Sequence, residues 1–193
     1  MSRIFCLVGK SAAGKDTIFN TIVNENYDNL VPIIPYTTRP MRVGEVNGEN
    51  YHFVTANQLK LLEKDDQVIE KRDYVTTKDV WTYFTLKFDI QENLNYFLIT
   101  TLEGARGIIE YYGEDIVHIV YLFLDDKTRL LRCIERESYQ DNPDYVEVCR
   151  RYIADSVDFS KEIISEFQNI HYINTDCSVD ECIDSWERIY NGE

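Results

Sequence analysis

The residues best equipped for chemistry fall in two clusters near the start of the chain. One is Gly9-Lys10-Ser11-Ala12-Ala13-Gly14-Lys15-Asp16-Thr17, and the other is Thr37-Thr38-Arg39-Pro40-Met41-Arg42-Val43-Gly44-Glu45. Glycine at positions 9 and 14 admits backbone angles and close approaches that a side chain forbids. Successive N–H groups can then turn towards one anion, and a helix starting at the loop adds partial positive charge. Lys15 is placed to reach β- and γ-phosphates as a point charge. The second cluster carries two guanidinium groups, whose planar forks suit a phosphate dianion. One cluster fits a nucleoside triphosphate and the other a second phosphate, so together they point to transfer between two nucleotides. The loop pattern ordinarily continues with Ser or Thr as a Mg²⁺ ligand, but here Asp16 holds that position and Thr17 follows. Asp16 is therefore the candidate metal residue, through water, or else a carboxylate that favours the positive end of a helix.

These residues need a frame, and the hydrophobic pattern supplies one. The loop follows an apolar run at 4–8 that reads as a buried parallel strand, and it opens a helix-like stretch at 17–23. Short apolar runs recur at 30–34 and 51–54, and Thr55-Ala56-Asn57-Gln58 has the form of a capping box opening a helix towards Lys64. Strands are expected at 68–75 and 81–88, joined by a turn at 76–80, and again at 96–100 and 116–124, with a crossing helix at 104–112. Ser178-Val179-Asp180-Glu181 is a second capping box, and Ile183, Trp186, Ile189 and Tyr190 give the helix behind it one apolar face. Alternating strands and helices predict an α/β fold, a parallel sheet flanked by helices. The strands between 51 and 88 lack long intervening helices, which predicts a small separate mixed sheet.

Composition narrows the partners. At 193 residues, 44% hydrophobic, the chain can build one sizeable core. Its net charge of −14 opposes non-specific binding to nucleic acid or an anionic membrane. No run is long and apolar enough for a membrane span, and the first residues read as a strand rather than a signal sequence, so a cytoplasmic protein is expected. Cys6, Cys133, Cys149, Cys177 and Cys182 lack metal-ligand spacing and read as small core residues. His52, His118 and His171 have no triad-like setting and read as structural. Oligomeric state is not legible.

A third cluster stands out in so acidic a chain. Arg129, Arg132 and Arg136 are spaced three and four apart, on one helical face, and Arg150 and Arg151 follow on the next helix-like segment. The bland alternative is a solvated helix among Glu135, Glu137 and Glu147.

The stretch from Tyr36 to Phe53, with the glycine loop before it, resembles the guanylate kinase family of P-loop nucleoside monophosphate kinases. The resemblance is strong before about Phe53 and thin after Tyr74. It implies a single domain: a core at 1–35, 95–125 and 166–193, a monophosphate-binding subdomain at 36–94 and a lid at 126–165. It implies that residues 9–17 hold ATP with Mg²⁺, and that Arg39, Arg42, Tyr51 and Tyr83 hold the phosphate of GMP or dGMP. Glu70 would read the base, because guanine offers two adjacent donors that one carboxylate accepts together, and Thr85 would be its hydroxyl partner. Glu70 could otherwise be an exposed glutamate beside Lys71 and Arg72, and Arg39 and Arg42 a solvated loop balanced by Glu45 and Glu49. Arg136, with Arg150 or Arg151, matches the lid arginines that stabilise charge during transfer, and Asn174 weakly matches a residue near the adenosine. Lys15, Arg39, Arg136 and Arg150 would thus be catalytic.

The chain also departs from the family. Pro35 stands where a base-contacting serine is usual, and Ile99 and Thr101 replace both aspartates of an Asp-x-Asp segment. These departures leave open a different phosphorylated acceptor, or a catalytically weakened module that binds a peptide. The expected reaction is direct γ-phosphoryl transfer from ATP, by positioning and electrostatics without a covalent intermediate.

Overall fold

The computed structural model describes residues 2–41, 44–75 and 79–193. In chain order the elements are β1 (Ile4–Gly9), α1 (Lys15–Asn24), β2 (Leu30–Pro32), β3 (Tyr36–Thr37), β4 (His52–Phe53), α2 (Ala56–Lys64), β5 (Val68–Val75), β6 (Val80–Leu86), β7 (Asn95–Ile99), α3 (Leu102–Tyr112), β8 (Val117–Phe123), α4 (Asp126–Ser138), α5 (Tyr145–Asp158), α6 (Lys161–Ile164), β9 (Ile170–Asn174) and α7 (Val179–Asn191). Both expected capping boxes form: Thr55 with Gln58 opens α2, and Ser178 with Glu181 opens α7. The expected turn at 76–80 lies mostly outside the described residues, and its last residue, Val80, belongs to β6.

The strands make a five-stranded sheet in the order β2-β7-β1-β8-β9 and a four-stranded sheet in the order β4-β3-β6-β5. In the first, β2 runs parallel to β7 and β8 parallel to β9; β7 and β8 are buried apolar strands, whereas the edge strands β2 and β9 are only partly buried. In the second, β3 is parallel to β4 and antiparallel to β6, which pairs antiparallel with β5. This is the α/β class with a small mixed sheet that the sequence predicts.

The chain divides into two compact units: Met1–Phe5 with Asn29–Val117, and Cys6–Asp28 with His118–Glu193. The first contains the four-stranded sheet, with α3 packed on β5. Phe84, Phe97, Leu98, Leu102, Ala105 and Ile108 are buried in it. In the second, α7 lies against β9 and α1, and Trp186, Ile183, Ile18 and Ile22 are buried.

Cys6, Cys133 and Cys182 are buried as expected, but Cys149 and Cys177 are exposed. Cys149 stands on the solvent side of α5. Cys177 precedes the cap of α7 and lies 3.6 Å from Cys182 one turn in, the positions of a hydrophobic staple. His118 and His171 face each other across β8 and β9 with ring nitrogens 3.1 Å apart. Among the described residues no helix is long and apolar enough to cross a membrane.

Candidate functional site

The glycine loop and the arginines of α4 and α5 belong to one unit. Gly9 ends β1 against β8: a Cβ there would lie 2.8 Å from the Leu122 carbonyl oxygen, so only glycine allows this approach. The chain then turns through Ala12 at φ 62 and Gly14 at φ 90, and Gly14 caps α1. Lys15 folds back over the loop and donates to the carbonyls of Gly9 at 2.6 Å and Lys10 at 3.1 Å. Burial pushes its pKa below the ordinary lysine value. Asp16 and Asp155 pull it back up, while Arg136 and Arg129 push it down again. An ammonium in that setting is short of negative charge, and a polyphosphate would supply it.

The Ser11 N–H donates to the Asp155 carboxylate at 2.8 Å, so an anion from α5 sits on a loop amide. Asp155 also accepts from Arg129 at 2.8 Å, and Arg129 reaches Asp126 at 3.1 Å. Lys10 meets the same Asp126 oxygen at 3.3 Å. Arg129 is 0% exposed and lies over the Tyr152 ring at 4.1 Å. It braces α4 to α5, whereas Arg132 and Arg136 on the same helix are exposed. Arg150 is exposed too, with its fork closed on Glu147 by two 2.7 Å bonds. Asp16 is exposed in the first turn of α1. Among the described residues no group of three or more His, Cys, Asp or Glu could cage a metal ion.

The acceptor-side residues lie in the other unit, on the four-stranded sheet. Arg39 follows β3 and is 4% exposed. Its Nε donates to the Tyr83 hydroxyl at 3.1 Å, and its two terminal nitrogens grip Glu45 at 2.7 and 2.5 Å. Tyr51 and Phe53 lie under the guanidinium, with ring centroids 5.1 and 5.2 Å from it. Arg39 is thus neither solvated nor loose. Arg42 lies outside the described residues.

Glu70 on β5 stands directly opposite Thr85 on β6, and the Thr85 hydroxyl donates to Oε1 at 2.7 Å. Two residues along, Arg72 stands opposite Tyr83. Alternation along a strand puts Glu70 and Arg72 on one face, and Thr85 and Tyr83 on the matching face of β6. The Glu70 side chain is 6% exposed, not solvated, and Oε2 accepts from Arg72 Nε at 3.3 Å. Arg72 Nη1 donates to the hydroxyl of Thr101, which also caps α3 through the Gly104 N–H. The Thr100 hydroxyl beside it is buried with no partner among the described residues.

Tyr51, Tyr83 and Arg39 therefore come together, as do Glu70 and Thr85. Arg150 pairs with Glu147 on its own helix. The sequence reading passed over Arg72 and Asp155. Arg72 carried a usable signal, since strand alternation places it on the face of Glu70.

Strand, glycine loop and helix, with a lysine returned over the loop, define a P-loop α/β protein. The family model described as guanylate kinase matches residues 1–94, so that stretch of the chain is similar to the guanylate kinase family. A guanylate kinase of Oceanobacillus iheyensis is 32% identical over 124 residues, covering 62% of this chain and 57% of that protein. The chain thus spans a little over half the length of the curated relative it matches. The crystal structure of a guanylate kinase from Anaplasma phagocytophilum is similar with a TM-score of 0.70 over 99% of this chain and 85% of that one. At 17% identity, that likeness speaks for the fold.

Proposed function

We propose that the protein transfers the γ-phosphoryl group of ATP to GMP or dGMP, giving ADP and the nucleoside diphosphate. The observation that carries this reading is the opposition of Glu70 and Thr85, the carboxylate nearly buried and held at 2.7 Å, one side-chain repeat from the Tyr83–Arg39 pair. A buried carboxylate with acceptor capacity to spare suits guanine's paired donors, and a guanidinium backed by tyrosines suits the phosphate. The family match over residues 1–94, which spans the loop, Arg39 and Glu70, supports the same reading.

In this reading residues 9–17 wrap the triphosphate, and Lys15 exchanges its two carbonyl partners for phosphate oxygens. Asp16 is the residue that would meet the water shell of a bound Mg²⁺, which would supply positive charge to the phosphates. Arg39, Arg42, Tyr51 and Tyr83 hold the acceptor phosphate, and Glu70 and Thr85 hold the base. Residues 126–165 form the lid, from which Arg136 and Arg150 reach the transferring group, Arg150 by leaving Glu147. An acceptor phosphate oxygen is already anionic near neutral pH, so no general base is assigned. Residues 36–94 form the monophosphate-binding part, and the remaining segments form the core of one kinase domain. We place the reaction in the cytoplasm.

The test is ADP release with Mg·ATP across GMP, dGMP, IMP, AMP, CMP and UMP. GMP and dGMP are expected to lead, with AMP slower by two orders of magnitude or about that, the scale on which unpaired buried polar groups reject an analogue. Preference for any base lacking adjacent ring N–H and exocyclic donors would remove the role of Glu70. Binding without turnover would favour the peptide-binding alternative.

A further inference from the structure

Arg72 is placed where a structural ion pair alone does not account for it. Its side chain is 10% exposed and lies on the sheet face that carries Glu70 and Thr85. Nε is engaged by Glu70 and Nη1 by Thr101, while Nη2 has no partner among the described residues. Nη2 shares the Nε edge of the planar guanidinium, the edge turned to Glu70, and carries two donors. Glu70 is in a complementary state. Each of its oxygens has accepted one bond, from Thr85 and from Arg72, and a carboxylate has about four lone-pair sites, so each oxygen has one to spare. The pocket therefore presents a row of a free donor at Arg72 and free acceptors at Glu70.

Helix α3 packs directly against this carboxylate. A Cβ on Gly104 would lie 3.1 Å from Glu70 Oε2, and one on Gly107 would lie 2.6 Å from Glu70 Cβ. The helix comes this close to the carboxylate because both positions are glycine. It also supplies Thr101, which fixes the far end of the guanidinium. Arg72 is thus held at both ends, with its remaining donors left over.

Resting on the functional reading above, we propose that Arg72 is a specificity-determining residue of the base pocket. Its guanidinium donates to the carbonyl oxygen of a 6-oxopurine while Glu70 accepts from the neighbouring ring N–H. The two side chains together read a C=O beside an N–H, the pair that guanine and hypoxanthine present. Adenine reverses both positions: its amine would meet the guanidinium and its ring nitrogen the carboxylate. Arg72 also offsets the charge of Glu70, so the pocket rejects adenine at two points rather than one.

The test deletes the acceptor on the ligand as well as the donor on the protein. Binding of GMP and of 6-thio-GMP, which keeps the ring N–H and the amine but replaces the carbonyl oxygen with weakly accepting sulfur, is measured by titration calorimetry. The same pair is compared by kcat/KM. Wild-type protein is expected to favour GMP by about tenfold, the scale of one hydrogen bond to a charged group. In Arg72→Ala that ratio falls towards one, and in Arg72→Lys, which keeps the charge and loses the fork, it falls part of the way. Equal losses for both ligands with the ratio unchanged would overturn the proposal, because Arg72 would then act only by holding Glu70. A wild-type ratio of one would overturn it without any variant, so misfolding of Arg72→Ala cannot shield it. Failure of wild type to bind GMP at all would overturn the functional reading, and this inference with it.

Discussion

Arg39 carries a buried positive charge, and its environment dictates which anion it meets in the ligand-free protein. Burial would lower its pKa, but the bonds from Glu45 and Tyr83 outweigh that and hold it above the ordinary value. Glu45 takes both terminal nitrogens, the same fork that a phosphate would use. Removing one partner of such a pair leaves the other buried and uncompensated, which is costly. Glu45→Gln is therefore expected to destabilise the ligand-free protein by about 2–3 kcal/mol. GMP supplies the missing anion, so it should raise the melting temperature of the variant more than that of the wild type. Thermal melts with and without GMP check this. Equal shifts in the two proteins would mean that Glu45 and the phosphate do not use the same donors of Arg39.

At the scale of elements, α3 and β5 jointly set the geometry around Glu70 and Arg72. A Cβ on Gly107 would come within 2.6 Å of Glu70 Cβ, close to the backbone of β5 and not at a flexible tip. Gly107→Ala gains helix propensity and loses packing, and overpacking of this kind typically costs 1–3 kcal/mol, so a net loss of about 1 kcal/mol is expected in urea unfolding. If the proposed sites hold, GMP affinity should fall with it, while affinity for ATP at the glycine loop stays unchanged. Much of this architecture was legible in the sequence. Capping boxes at Thr55 and Ser178 and the apolar runs of β1, β7 and β8 are local signals that survive folding. The two-residue β3 was missed, being too short to show a period and formed by its partners β4 and β6. The pairing of Glu70 with Thr85 was reached through family resemblance, and alternation could not have produced it. The register that runs unbroken from Val75 opposite Val80 to Glu70 opposite Thr85 is set by the pairing of the two strands, and it slips only beyond Glu70, before Val68. Nor does helical spacing reveal that Arg129 is enclosed while Arg136 is not. Both lie on α4, but Asp155 and Tyr152, which enclose Arg129, come from α5.

For the whole molecule the governing quantity is charge: 34 acidic against 20 basic side chains, a net of −14. Exposed pairs such as Lys71 with Glu63, Lys87 with Asp66 and Arg150 with Glu147 hold some of it in place. Pairs of this kind are worth about 0–1 kcal/mol each and weaken with salt. The surplus of carboxylates acts the other way, since folding gathers like charges that the unfolded chain keeps apart. Which wins is decided by range. Contact pairs are partly shielded already by their own geometry, whereas repulsion among scattered carboxylates acts over distances comparable with the Debye length, about 30 Å at 0.01 M and about 10 Å at 0.1 M salt. Screening should therefore remove more repulsion than attraction. The melting temperature is expected to rise as sodium chloride goes from about 0.01 to about 0.3 M. Each kcal/mol recovered is worth roughly 2–4 °C in a chain of this size. Chloride does not bind strongly enough to mimic a nucleotide, and repeating the melts with sodium fluoride separates screening from site occupancy. A melting temperature that fell with both salts would mean that the ion pairs outweigh the repulsion, and that the charge surplus does not govern stability.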